Sequence, residues 1–307
     1  MIREALAAVA RNESVGGFLG RAPIAKDVVK RVVGGETAES ALAVAAGLAD
    51  RGLFVSLERA TPRLTEPDDA DAVAAEYAAL VDGIASSGLA GVCEVAVLPE
   101  ALGLMVDADP MSALLRGTRL AAHAQEQGVA LMLGMGPATD TTVSLVWADQ
   151  FHADGLQVGV TLPAALRRTE ADCGRLAGRR VRVVKGVRGG DPALVFGQPI
   201  EIDKAFVRCA KVLLRGDGDP SFATHDPRLI EIVQSLVGRY GRPRQSYEFA
   251  LFMGRLEGAQ ERLLAEGERV RVYVPYGPEW FERLVAGLAE QPSTVAAALR
   301  SMLPGSA

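Results

Sequence analysis

Two short stretches carry the side chains best suited to chemistry. Arg182-Val-Val-Lys185-Gly186 sets two cations in an apolar run that ends at a glycine. Ser221-Phe-Ala-Thr-His-Asp226 delivers a hydroxyl, an imidazole and a carboxylate in succession. Lys185 and His225 each fall at the C-terminal end of an expected buried strand, the rim on which α/β folds carry their chemistry. Arg182, Lys185 and His225 would bring positive charge and hydrogen-bond donors, which suits phosphates or an electron-rich ring. Other readings stay open at this point. Lys185 and His225 could simply end strands beside solvent, or Lys185 could be a Schiff-base amine of the class I aldolase kind. Asp226 and Glu248 could share acid–base work, although Asp226 precedes Pro227 and suits a helix cap. Glu248 points the opposite way from Tyr247 and Phe249 in its strand, and a carboxylate inside a barrel needs a cationic partner. No nucleophile elbow supports a Ser/His/Asp triad.

The elements that must position these residues alternate with a steady rhythm. Expected strands begin near Leu53, Val92, Val129, Leu156, Val181, Phe222, Tyr247 and Val270, with a helical stretch between each pair. Short, uninterrupted apolar strands joined by helices form a parallel sheet covered on its outer face. Eight such units predict a single (β/α)8 barrel of the TIM type over residues 36–307, preceded by an N-terminal helical segment, 1–35. Two closing helices are expected over Pro278–Glu290 and Ser293–Met302. No GxGxxG follows the first strand, so a Rossmann unit has no support. The strand ends place nearly all polar groups on the later strands and almost none on the early ones. One side of the mouth is therefore expected to hold an elongated, charged ligand.

Composition narrows the function class. The chain has 307 residues, 49% of them hydrophobic and 23% charged, with a formal net charge of -5. No dense Lys/Arg run points to nucleic acid. Cys93, Cys173 and Cys209 lack CxxC spacing and read as small buried hydrophobes in a reducing compartment. Three histidines argue against a histidine-rich metal site. No signal-peptide pattern is present, and no run approaches the roughly 20 apolar residues of a membrane span. A cytoplasmic protein is the expectation.

The late strands resemble the proline dehydrogenase family. Arg182-Val-Val-Lys-Gly186, Phe222-Ala-Thr-His-Asp226, Tyr247-Glu-Phe249 and Val270-Arg-Val-Tyr-Val-Pro-Tyr-Gly277 with Trp280 occur in that family's order and spacing. The resemblance covers most of the chain and is specific from about Gly155 onward. It implies a distorted (β/α)8 barrel that binds FAD and takes a hydride from the carbon beside a secondary amine. Arg182 and Lys185 then match the flavin contacts, with Gly186 and Glu248 beside them, and a cation there would stabilise the reduced ring. Thr224 and His225 match the pair that touches the cofactor, with Phe222 just upstream. Tyr273 matches the tyrosine lining the substrate pocket, so Tyr273 and Lys185 are the residues assigned to catalysis.

The substrate side departs from the family pattern. Paired arginines that clamp the substrate carboxylate fall here at Ala286 and Gly287, and the preceding tyrosine at Arg283, within a segment ending at Glu290. The family's lysine falls near Leu98, its aspartate at Gly134, its flavin-contacting glutamine at Pro163, and the tyrosine after KGA at Arg188. Losing the clamp costs about 2–5 kcal/mol of carboxylate binding. Arg188 and Arg283 are candidate replacements, and with Tyr273 and Glu290 they complete the expected substrate pocket. The resemblance implies oxidation of L-proline to pyrroline-5-carboxylate, or of a related secondary amine, with a quinone or other electron acceptor. The alternative is a non-catalytic barrel acting as a binding or regulatory module.

Overall fold

The computed structural model describes residues 32–61, 64–136, 141–186 and 191–280. The expected N-terminal segment before residue 32 and the closing helices beyond 280 lie outside the described residues, as do Arg188, Arg283 and Glu290. All eight strands form in order: β1 (Phe54–Arg59), β2 (Cys93–Val97), β3 (Ala130–Leu133), β4 (Val158–Pro163), β5 (Val181–Val184), β6 (Pro220–Ala223), β7 (Glu248–Phe252) and β8 (Val270–Tyr276). Every neighbouring pair is parallel, and β1 closes on β8 to complete the barrel. Helices α1 (Ala38–Ala49), α2 (Pro67–Ser86), α3 (Pro110–Glu126), α4 (Thr141–Ala153), α5 (Thr169–Arg175), α6 (Pro199–Arg215), α7 (Pro227–Tyr240) and α8 (Glu257–Ala265) intervene.

The punctuation is local chemistry. Asp109 caps α3 through the Met111 amide, and Asp226 caps α7 through the Arg228 amide, each with proline at the first helical position. The turn from α3 into β3 passes through Gly128 at φ +67, a left-handed conformation that glycine adopts without strain.

Strand periodicity then sorts the side chains. Val55, Leu57, Val95, Val97, Val181, Val183, Phe222, Phe249, Val272 and Val274 are buried in the layer between barrel and helices. Such a side chain contributes roughly 1.5–3 kcal/mol when fully buried. The alternate positions face the axis: Ser56 and Glu58 on β1, Glu94 and Ala96 on β2, Arg182 and Val184 on β5, Ser221 and Ala223 on β6, Glu248 and Ala250 on β7, and Arg271 and Tyr273 on β8. All three cysteines are buried and unbridged. Among the described residues, no helix is long and apolar enough to cross a membrane.

Candidate active site at the barrel mouth

The lower half of the barrel interior is filled by charge. Arg182 donates to Glu94, to Glu248 at 3.4 Å, to Ser221 Oγ at 3.2 Å and to Ser56 Oγ at 3.4 Å. Arg271 Nε lies 2.9 and 3.0 Å from the two Glu248 oxygens, and its Nη1 donates to the Val55 carbonyl at 2.7 Å. Arg180 joins Glu94 at 2.7 Å and Glu248 at 3.1 Å, and also pairs with Asp219. Glu94 and Glu248 have no exposed surface. Burial alone would raise their carboxyls, but arginine charge overrides it: Arg182, Arg271 and Arg180 hold Glu94 well below its ordinary value. Arg271 and Arg180 act likewise on Glu248. The cationic partner expected for Glu248 is therefore several arginines. Arg182 is 5% exposed and is held within this layer, below the rim.

Parity explains where the other expected residues go. Lys185 is three residues from Arg182, so it faces the helix layer, where its Nζ lies 2.6 Å from Asp203 on α6 and 3.0 Å from Asp226. Burial opposes its charge, yet the two carboxylates raise its pKa above the ordinary value. A Schiff-base lysine needs the opposite shift, so the aldolase reading is corrected. Gly186 follows at the same strand end, half-buried. Phe222 also faces outward, has no exposed surface, and packs on Phe249 with centroids 6.4 Å apart. Thr224 is buried, and its hydroxyl accepts the Asp226 amide at 3.1 Å. In this arrangement Phe222 is a core residue and Thr224 shapes the turn into α7.

His225 does reach the mouth, but not as a cation. Its Nε2 accepts the Phe252 amide at 3.0 Å, which leaves the ring proton on Nδ1. Burial, then the charge of Arg255, lower its pKa to about 3. The expectation that His225 brings positive charge is thus overturned. Its ring stacks on Phe252 at 5.4 Å, and Phe252 meets Tyr273 edge-on at 4.8 Å. These three rings form one wall of the mouth.

The early strands are not bare of polar groups, contrary to the sequence expectation. Glu58, at the inner face of β1, is 6% exposed. A Cβ on Gly134 would sit 3.2 Å from Glu58 Oε2 and 3.0 Å from Leu98 Cδ2, so this carboxylate lies across the end of β3. Between Glu58 and the aromatic wall, the inward residues of β5, β6 and β7 are Val184, Ala223 and Ala250, all short. These short side chains leave the inner face of β5–β7 low beside the ring of His225. A second concavity, a cleft of about 410 Å³ between α6 and α7, is lined by Ile200, Asp203, Val207, Leu229 and Ile232. It opens on the helix layer, so the chemistry is assigned to the mouth, where the interior side chains converge.

Known proteins share this architecture. A family model described as proline dehydrogenase matches residues 41–281. The proline dehydrogenase of Deinococcus radiodurans is 27% identical over 285 residues, covering 91% of this chain and 91% of that relative. Proline dehydrogenase 1 of Bacillus subtilis (strain 168) is 27% identical over 276 residues, covering 89% of this chain and 90% of its own. The crystal structure of proline utilization A (PutA) from Bdellovibrio bacteriovorus, inactivated by N-propargylglycine, superposes with a TM-score of 0.80 at 20% identity. That match spans 95% of this chain and 34% of the longer one. The closed eight-stranded barrel, the family-model match and these relatives agree: the chain belongs to the proline dehydrogenase family and is a proline dehydrogenase-like oxidoreductase.

Proposed function

We propose that the chain binds FAD on the β5–β7 side of the mouth and oxidises a secondary amine, with L-proline to pyrroline-5-carboxylate the first reaction to test. The observation that carries this reading is the short floor of Val184, Ala223 and Ala250, set between the aromatic wall and the Glu58 carboxylate. FAD, when bound, supplies a two-electron acceptor. Val184, Ala223 and Ala250 would carry the ring, and the Nδ1–H of His225 would donate to its edge. Arg182 would lie beneath, held by Glu94 and Glu248 so that its charge is fixed in place before the substrate arrives. Lys185 and Gly186 would border the cofactor from the end of β5. Tyr273 and Phe252 would exclude water from the substrate side. Purified protein, as isolated or after incubation with FAD, is expected to show a bound-flavin spectrum. Protein that stays colourless after reconstitution contradicts the reading.

A second reading, a non-catalytic binding or regulatory barrel, is favoured by one observation. The mouth carries Leu98 and Gly134 where the family pattern has a lysine and an aspartate. Flavin binding without reduction by any amine would distinguish it.

A further inference from the structure

We infer that the groove between α6 and α7 is a docking surface for an acidic amphipathic helix of a partner protein. This face lies outside the barrel mouth, so its role stands independently of the proposed function.

The groove follows from the periodicity of α6. Ile200, Lys204, Val207, Arg208 and Lys211 recur at helical spacing, so they form one stripe along the helix. At 1.5 Å per residue the stripe runs for about 16 Å, the length of about three turns. Leu229 and Ile232 of α7 close the far side, and the two helices enclose a cleft of about 410 Å³. Leu229 is buried at its base, whereas Ile200 and Ile232 stand on the rims, 57% and 39% exposed. The inward face of α6 already buries Ala205, Phe206, Cys209, Ala210 and Leu213. The two exposed isoleucines add nothing to that core, and together with the cleft they mark a contact surface.

Charge selects the occupant. Arg208 pairs with Glu170 at 2.6 Å, and Arg228 pairs with Asp226 and Asp203. Lys204 and Lys211 pair with no carboxylate among the described residues. Asp203, the one carboxylate among the described residues lining the groove, is held by Lys185 at 2.6 Å. The groove is thus a basic strip with an apolar base, on a chain whose formal net charge is -5. Lys204 and Lys211 lie about two turns apart, which matches carboxylates at the same spacing beside the apolar stripe of a partner helix. A second copy docked face to face would set these lysines against their own kind. A flat lipid surface would not reach Leu229, and nucleic acid would gain nothing from Val207 and the isoleucines. An acidic helix with an apolar stripe satisfies the base of the groove and both lysines together.

The probe is a fluorescein-labelled peptide with leucines at helical spacing flanked by glutamates, titrated with the purified protein and followed by anisotropy. Two companion peptides carry lysine for each glutamate or serine for each leucine. The glutamate–leucine peptide is expected to bind saturably and the companions about tenfold or more weakly, with its affinity falling as salt is raised. Lys204→Glu/Lys211→Glu and Ile232→Asp, each verified as folded by circular dichroism, should weaken binding about tenfold, whereas Lys204→Arg/Lys211→Arg should retain it. No saturable binding, equal binding of the lysine peptide, or unchanged affinity in the charge-reversed variant would overturn the inference. Self-association that Ile232→Asp abolishes would also overturn it and assign the face to a second copy. Capture on phosphatidylglycerol vesicles that excludes the peptide would overturn it in favour of lipid.

Discussion

Inside the barrel Arg271 Nε is shared by both oxygens of Glu248, 2.9 Å from one and 3.0 Å from the other. Both side chains are almost wholly removed from water. Removing one partner of a buried pair leaves an uncompensated charge, at a cost of about 3–5 kcal/mol. Arg271→Met is therefore expected to lower the unfolding free energy, read from urea titration, by that much, and the double variant Arg271→Met/Glu248→Leu to recover part of it. A single variant as stable as the wild type would show that the pair is not what fills the barrel.

The same carboxylates set the acid limit of the fold. Glu94 and Glu248 have pKa values lowered in the folded chain, Glu248 to about 2 from an ordinary 4.5. Their contribution is fully present above about pH 4.5 and is lost as pH falls through the folded values. Unfolding free energy should therefore drop between about pH 4.5 and pH 2, and the drop should shrink in Glu248→Gln. A flat profile across that window would contradict the assignment.

His225 behaves in the opposite chemical sense but with the same sign. Its folded pKa is about 3 against 6.5 unfolded, so the unfolded chain takes up the proton first. Stability is thus expected to fall as pH drops from about 6.5 towards 3, and the folded His225 should show no midpoint near 6.5 by NMR. A His225 resonance titrating near 6.5 would mean that the Phe252 amide is not its partner. His225→Leu, which removes that acceptor, should weaken flavin binding about tenfold.

Lys185 offers a test that separates electrostatic from covalent roles. Because it is shared by Asp203 and Asp226, Lys185→Met is expected to cost about 1 kcal/mol, a modest value since the side chain is one-third exposed. Borohydride in the presence of a carbonyl compound should label nothing at Lys185. A trapped adduct there would revive the Schiff-base chemistry.

Much of this was legible in the sequence, and the misses come from strand parity and from contacts that only the fold makes. The eight strands were legible because apolar runs alternate with helices punctuated by Asp-Pro and glycine, as at Asp109-Pro110, Asp226-Pro227 and Gly128. Glu248 was legible as an inward carboxylate because it sits between Tyr247 and Phe249. Glu94 carries the same signal, between Cys93 and Val95, whereas Glu58, between Leu57 and Arg59, sits in a strand whose end alternates less clearly. Strand parity divides the motif residues. Arg182 and His225 face the axis, and Lys185, Phe222 and Thr224 face away. The neutrality of His225 was not legible, because it depends on burial and on Arg255 and Phe252, which meet it only through the fold.

The most direct test of the central claim is anaerobic titration of the flavin-loaded protein with amines, followed by the flavin absorbance. Bleaching by L-proline or a related cyclic secondary amine is the predicted result. Stable oxidised flavin in the presence of proline, pyrrolidine and their cyclic homologues would contradict it, and would leave this member of the family a binding barrel.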